Sequence, residues 1–185
     1  TGFTRYRKLR GMPIRHGLIR SLSPEQNQLV VENADGTSET LTYDALVLSM
    51  GVTSGFWRTP ALETLEQVER SLADVSAELA AAKSIAIVGG GATAASSASN
   101  LKETYPDKPV TLFFGKRGLL PEYHPKVRAK VRAQLERQGV DLRPDHRVVM
   151  PAGFAGERLT REPLTFESGQ APFTADAVLW AVGQQ

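Results

Sequence analysis

Gly89, Gly91 and Ala94 are spaced Gly-x-Gly-x-x-Ala between an apolar run, Ile85-Ala86-Ile87-Val88, and a stretch of small residues that begins at Ala92. The chemistry this spacing serves is the binding of a pyrophosphate between a strand and a helix. Gly89 permits the tight turn out of the strand, and Gly91 lets the backbone approach a phosphate with no Cβ in the way. Ala94 stands at the third position, where a small side chain allows close helix–strand packing. The backbone N–H groups of Gly90, Gly91, Ala92 and Thr93 then open the helix toward an anion, reinforced by the helix dipole. These residues predict a dinucleotide site. The bland reading is a glycine-rich turn that binds nothing.

A second group bears on which dinucleotide. An acid at the end of the second strand would bond the ribose 2′-hydroxyl of NAD. The stretch there is Phe113-Phe114-Gly115-Lys116-Arg117, with no acid. Lys116 and Arg117 would attract a 2′-phosphate, Arg117 bidentately, so NADPH is favoured over NADH as the cofactor. The alternative is that both cations point to water. Other reactive side chains are sparse. The chain has no cysteine, which excludes disulfides, thiolate metal sites and a dithiol redox centre. His16, His124 and His146 lack metal-ligand spacing and read as structural or surface residues.

The elements that must position the glycine turn follow from periodicity. Ile85–Val88, Val110–Phe114 and Val140–Leu142 read as strands. Ala92–Thr104 and Glu122–Gln138 read as helices, with Val127, Val131 and Leu135 on one face of the latter and Gly139 as its stop. Alternating strands and helices imply a parallel sheet with right-handed crossovers. Ala177–Gly183 reads as a last buried strand that contains Trp180. Upstream, Leu18–Arg20, Gln28–Glu32 and Glu39–Tyr43 alternate apolar and polar residues, and Asp35-Gly36 signals a hairpin between the last two. Ala45–Gly51 is apolar on both faces and is expected to be a buried parallel strand. A helix over Leu62–Ala82 carries a stripe of Leu65, Val68, Leu72, Val75 and Leu79. Phe56-Trp57-Arg58 falls in the loop before it.

The 185 residues suit one medium domain or a domain with a fragment, and 41% hydrophobic with 23% charged residues is ordinary for a globular chain. Net charge is +2, but 11 basic and 6 acidic residues lie between Lys102 and Arg147. That excess could face a phosphorylated cofactor, nucleic acid or an anionic surface, and the plain reading of the run 126–132 is a solvated helix face. Nucleic acid is the weaker expectation. No apolar run is long enough for a transmembrane segment. Thr1 in place of an initiator Met suggests a piece excised from a longer chain.

With these residues in view, the chain resembles the pyridine-nucleotide-dependent flavoproteins. It is most similar to the apoptosis-inducing-factor-like and type II NADH dehydrogenase branch, which includes the ferroptosis-suppressor quinone reductases. The resemblance lies in residues 84–91, 101–112 and 119–121. It extends to 43–51 and 175–183, which are similar to the family's two strands at the seam of its flavin and nicotinamide domains. The resemblance implies that hydride passes from NAD(P)H to FAD and on to a quinone or other acceptor, with the cofactors carrying the chemistry. It also implies that Ala181, Val182 and Gly183 back the nicotinamide. Ser96 stands where the family often has a glutamate near that ring, and the absence of cysteine sets aside the disulfide-reductase branch for this fragment.

The expectations are therefore an α/β fold, a Rossmann-like parallel sheet with helices and an added antiparallel β-meander. Residues 1–50 are expected to be a remnant of a flavin domain, 51–183 an NAD(P)H-binding domain, and 184–185 a tail. FAD is expected in a full-length parent and not in this fragment, whose partners would be the dinucleotide and the missing flavin domain. Exposed strand edges leave pairing between copies open. The expected location is cytoplasmic, with the parent peripheral to a membrane.

Overall fold

The computed structural model describes residues 11–49, 63–154, 156 and 158–182. The chain divides into two compact units, Thr1–Val52 and Thr53–Gln185.

The first unit is a three-stranded antiparallel meander of β1 (Gly17–Ser23), β2 (Gln28–Asn33) and β3 (Ser38–Thr42) in spatial order β1-β2-β3. The hairpin falls at Asp35-Gly36, as the sequence indicates. Gly36 adopts φ +82°, Thr37 donates its backbone N–H to Asp35 Oδ1 at 2.9 Å, and Asn33 N–H bonds Thr37 O at 2.7 Å. Leu29 and Val31 are buried while their neighbours are less so, the period-two pattern of a one-sided sheet.

The expectation of a strand over Ala45–Gly51 is corrected. Residues 43–49 lie in no strand, and Val47 is 88% exposed. A run apolar on both faces becomes a strand only where ladder partners and two covering layers exist. Among the described residues none pairs with it. Leu46 and Leu48 instead line a hollow with Ile19, Leu22 and Leu29. Met50 and Gly51 lie outside the described residues, as do Phe56, Trp57 and Arg58.

The second unit is built on a four-stranded parallel sheet, β4 (Ile85–Val88), β5 (Val110–Phe113), β6 (Asp141–Arg143) and β7 (Ala177–Trp180), in order β6-β5-β4-β7. Residues of β4, β5 and β7 are all buried, which explains their continuous apolar sequence. Ile85, Ile87, Leu112 and Leu179 face a core shared with the helices α1 (Leu65–Ala81), α2 (Ala92–Thr104) and α3 (Pro125–Arg137). Ala86, Val88, Phe113, Val178 and Trp180 face a second core, which the segment 148–175 covers with Val148, Leu164 and Phe166. That segment adds isolated antiparallel bridges, Val148 to Phe166, Leu164 to Phe173 and Thr160 to Val178. The layers are thus helix, parallel sheet and irregular antiparallel cover.

Caps set the helix limits. Thr64 and Gln67 form a capping box, Thr64 Oγ1 accepting from Gln67 N–H and Gln67 Oε1 from Thr64 N–H, so α1 starts at Leu65 rather than Leu62. Its stripe is buried only toward the C-terminus. Leu79 is buried, a gain of about 2 kcal/mol, whereas Leu65 and Leu72 are exposed. Lys108 Nζ donates to the carbonyls of Leu79 and Ala80 at that end. Helix α3 starts at Pro125, not Glu122, because His124 Nδ1 accepts from Lys126 N–H as its N-cap and proline suits the first turn. It ends as expected. Gly139 at φ +81° and Val140 form a Schellman closure, with bonds to Glu136 O and Leu135 O at 3.0 Å each. Leu135 is buried, but Val127 on the same face is exposed.

Candidate functional site

Strands β4, β5 and β7 run parallel, so their C-terminal ends deliver three chain segments to one edge of the sheet: 89–91, 114–117 and 181–182. That edge is where open parallel sheets bind ligands. A cleft of about 690 Å³ lies there, with Gly89, Gly90, Phe114, Gly115 and Val182 among its walls. The volume is in the range of small-molecule and cofactor sites.

The three glycines do different work. Gly89 has φ +143°, and a Cβ on it would be driven into the Ala181 carbonyl oxygen, standing 2.9 Å from the carbonyl carbon and 3.2 Å from Ala94 Cβ. Only glycine fits where β4, β7 and α2 converge. A Cβ on Gly90 would meet Gly118 O at 2.9 Å. Gly91 is different: it has an ordinary φ of −86°, and a Cβ there would have nothing within 4 Å. Packing does not require a glycine at 91, which fits a position kept bare for an approaching phosphate. Gly91 is the N-cap of α2 and supplies no side chain to cap it, so Ala92 and Thr93, both exposed, present a first turn without a side-chain cap. Ala94 is fully buried beneath this turn, in its expected packing role.

The loop after β5 is braced. Leu119 and Leu120 are buried, Leu120 N–H bonds Gly90 O at 2.7 Å, and Arg128 Nε donates to Leu119 O at 3.0 Å. This joins the loop to the glycine turn and to α3. Lys116 and Arg117 are both exposed. Lys116 has no partner among the described residues, whereas Arg117 pairs with Glu122. Neither lines the cleft, nor do Gly91, Ala92, Thr93, Ala94, Ser96 or Ala181. Ser96 is exposed on α2. Gly183 lies outside the described residues.

The cleft's other wall was not anticipated. It comprises His146, Arg147, Met150, Phe154 and Glu167 together with Val88, Phe113 and Val148. The His146 ring packs edge-on to Phe166 at 4.9 Å and tilted to Phe113 at 5.7 Å. Its Nδ1 lies 2.7 Å from Pro144 O, which can only accept, so Nδ1 carries the proton. Arg147 Nε stands 3.2 Å from Glu167 Oε1. The available signal was position: residues just past the third strand of a βαβαβ unit arrive at the ligand edge. Trp180, read as a core residue, is buried, and its indole N–H donates to Thr160 Oγ1 at 2.8 Å.

The basic excess between Lys102 and Arg147 is largely spent on structure. Lys102, Lys108 and Arg128 donate to backbone carbonyls, and Arg117, Arg132, Arg143 and Arg147 sit in ion pairs. Among the described residues no group of side chains could hold a metal ion, and no helix is long and apolar enough to cross a membrane.

The comparisons with known proteins agree with this geometry. The chain is 31% identical over 142 residues to ferroptosis suppressor protein 1 of Taeniopygia guttata, covering 76% of this chain and 37% of that protein. It is 28% identical to apoptosis-inducing factor homolog B of Dictyostelium discoideum, covering 90% of this chain and 46% of that one. The chain thus spans less than half the length of these relatives. Among solved structures, it superposes on reduced CoADR-RHD of Bacillus anthracis with TM-score 0.65 at 18% identity, covering 90% of this chain and 30% of the other. It superposes on the water-forming NADH oxidase of Lactobacillus brevis with TM-score 0.62 at 18% identity, covering 90% and 36%. At such identities the superpositions show a shared fold. Residues 15–185 match the model of one family, and on that ground the chain belongs to the pyridine nucleotide-disulphide oxidoreductases.

Proposed function

We propose that this chain is the NAD(P)H-binding part of an FAD-dependent oxidoreductase, that it takes NADPH in preference to NADH, and that its parent reduces a quinone or another acceptor. The observation that carries the reading is the turn at the C-terminal edge of the sheet. Gly89 is demanded by packing, Gly91 is not, and the uncapped first turn of α2 starts beside the cleft. A pyrophosphate would be held by backbone N–H groups of 91–93, with Ala94 letting α2 approach β4. Val182 and the backbone of Ala181 would back the nicotinamide end. Held by these residues, the coenzyme would supply hydride chemistry to a flavin in the parent's other domain.

NADPH preference is supported by the absence of a carboxylate after β5 and by Lys116, which has no partner among the described residues. The Arg117–Glu122 pair offsets one of the two cations. The name of one relative, NADH dehydrogenase-like protein YutJ of Bacillus subtilis, favours a redox role for the parent. We place that parent in the cytoplasm, at a membrane surface where its acceptor is lipid-soluble.

The test is a calorimetric titration of the chain with NADPH and with NADH at fixed salt. Binding of both, tighter for NADPH and weakened by Lys116→Ala with Arg117→Ala, supports the reading. Binding of neither overturns it in favour of a catalytically silent interaction module.

A further inference from the structure

We infer that the ion pair Arg147–Glu167 on the far wall of the cleft tunes the choice of coenzyme, Arg147 as a further cation, beside Lys116, that meets the adenosine 2′-phosphate and Glu167 as the carboxylate that opposes it. This rests on the dinucleotide reading of the cleft.

Three observations lead here. The first is placement. Of the cations near this edge, Arg147 lines the cleft and Lys116 and Arg117 do not. A Cβ on Gly115 would lie 3.7 Å from Arg147 Cβ, so Arg147 stands directly across from the end of β5. The segment after the second strand of such a sheet is where the ribose hydroxyls of a dinucleotide are read.

The second is preorganisation. Asp145 sits at φ +59°, a conformation uncommon for a residue with a side chain. Its carbonyl accepts from Gln170 Nε2 at 2.8 Å and from Ser168 Oγ at 3.2 Å. His146 N–H bonds Phe114 O at 3.0 Å, and Arg147 O accepts from Glu167 N–H at 2.9 Å. Residues 145–147 are therefore tied both to the strand end that carries Phe114 and Gly115 and to the segment 166–170. A strained residue held by several bonds marks a position the surrounding structure over-determines.

The third is charge. Arg117 is committed to Glu122, whereas the Arg147–Glu167 pair is the one in the cleft wall. Both of its side chains are more than half exposed, so the pair is weak and can open. A 2′-phosphate would compete for the guanidinium, which offers two parallel N–H donors, and would be repelled by the carboxylate beside it. A ribose 2′-hydroxyl carries no charge for the guanidinium to meet and can donate to the carboxylate.

The two members of the pair must therefore act with opposite sign. Arg147→Ala is expected to weaken NADPH binding about tenfold, the effect of one charge-assisted contact, and to leave NADH within about twofold. Glu167→Gln keeps the shape of the wall and is expected to tighten NADPH binding without tightening NADH. Arg147→Lys, which keeps charge without the fork, is expected to fall between wild type and Arg147→Ala. Titration of each variant with both nucleotides at fixed salt reads all of this, and circular dichroism confirms that each is folded. If wild type binds both nucleotides and the NADPH-to-NADH ratio ignores Arg147→Ala and Glu167→Gln, the inference fails and the dinucleotide reading stands. If wild type binds neither, the dinucleotide reading itself has failed. A ratio that moves in the same direction in both variants also overturns the assignment.

Discussion

Gly89→Ala and Gly91→Ala separate the two jobs of the glycine turn. At position 89 the new methyl meets the Ala181 carbonyl and Ala94 Cβ, and φ is +143°. The disfavoured backbone costs about 2 kcal/mol, and forcing a methyl into a packed junction about 2 more. A loss of about 4 kcal/mol lowers the melting temperature of a chain this size by roughly 8–16 °C and leaves it folded at room temperature if its stability is of ordinary size, about 5–15 kcal/mol. At position 91 the methyl has nothing within 4 Å and φ is −86°, so stability changes by at most about 1 kcal/mol, the difference between glycine and alanine at an N-cap. Nucleotide affinity follows the opposite order. Gly91→Ala puts a methyl where a phosphate would approach and abolishes binding in a protein of near wild-type stability. The assays are thermal unfolding by circular dichroism and calorimetric titration on the same preparations. Equal melting temperatures for the two variants would refute the geometry of the turn. Unchanged affinity in Gly91→Ala would refute its assignment to the ligand.

Other perturbations test the supporting structure. Asp176 Oδ2 accepts from Lys83 N–H, Ser84 N–H and Ser84 Oγ, and the Ser84 hydroxyl chiefly holds this carboxyl below the usual aspartate range. Because the folded pKa is depressed, the stability it confers is present above the unfolded value of about 3.9 and is lost as pH falls through the lower folded value. Asp176→Asn should thus be less stable than wild type at neutral pH, with the gap closing in denaturant titrations taken well below pH 4. Trp180→Phe leaves the buried Thr160 hydroxyl without its 2.8 Å donor and should cost about 1–3 kcal/mol in chemical unfolding; a neutral result would mean that the hydroxyl finds another partner. Arg128→Met removes the donors to Leu119 O and Arg117 O while keeping the apolar stem. Faster hydrogen exchange at the Leu120 amide, which bonds Gly90 O, is the expected outcome, and unchanged protection would show that the buried leucines alone fix the loop.

Local signals were legible in the sequence because they are satisfied locally. The Gly-x-Gly-x-x-Ala spacing, the hairpin at Asp35-Gly36, the stop at Gly139 and the parallel order of β4, β5 and β6 rest on backbone freedom, periodicity and short connections. All four stand in the structure. Boundaries moved where a side chain outcompeted the pattern, as Thr64 and His124 did by capping α1 and α3. Only tertiary structure could decide what depends on a distant partner. The run 45–49 has the composition of a buried strand, yet no described strand pairs with it, and composition cannot supply a ladder. Lys116 and Arg117 are adjacent cations in the sequence, with Arg117 the better phosphate fork, but Glu122 engages Arg117 and leaves Lys116. Arg147 carries no distinguishing neighbour in the chain. It enters the cleft because β6 ends beside β5 and because Ser168 and Gln170, more than twenty residues on, hold Asp145 in its turn.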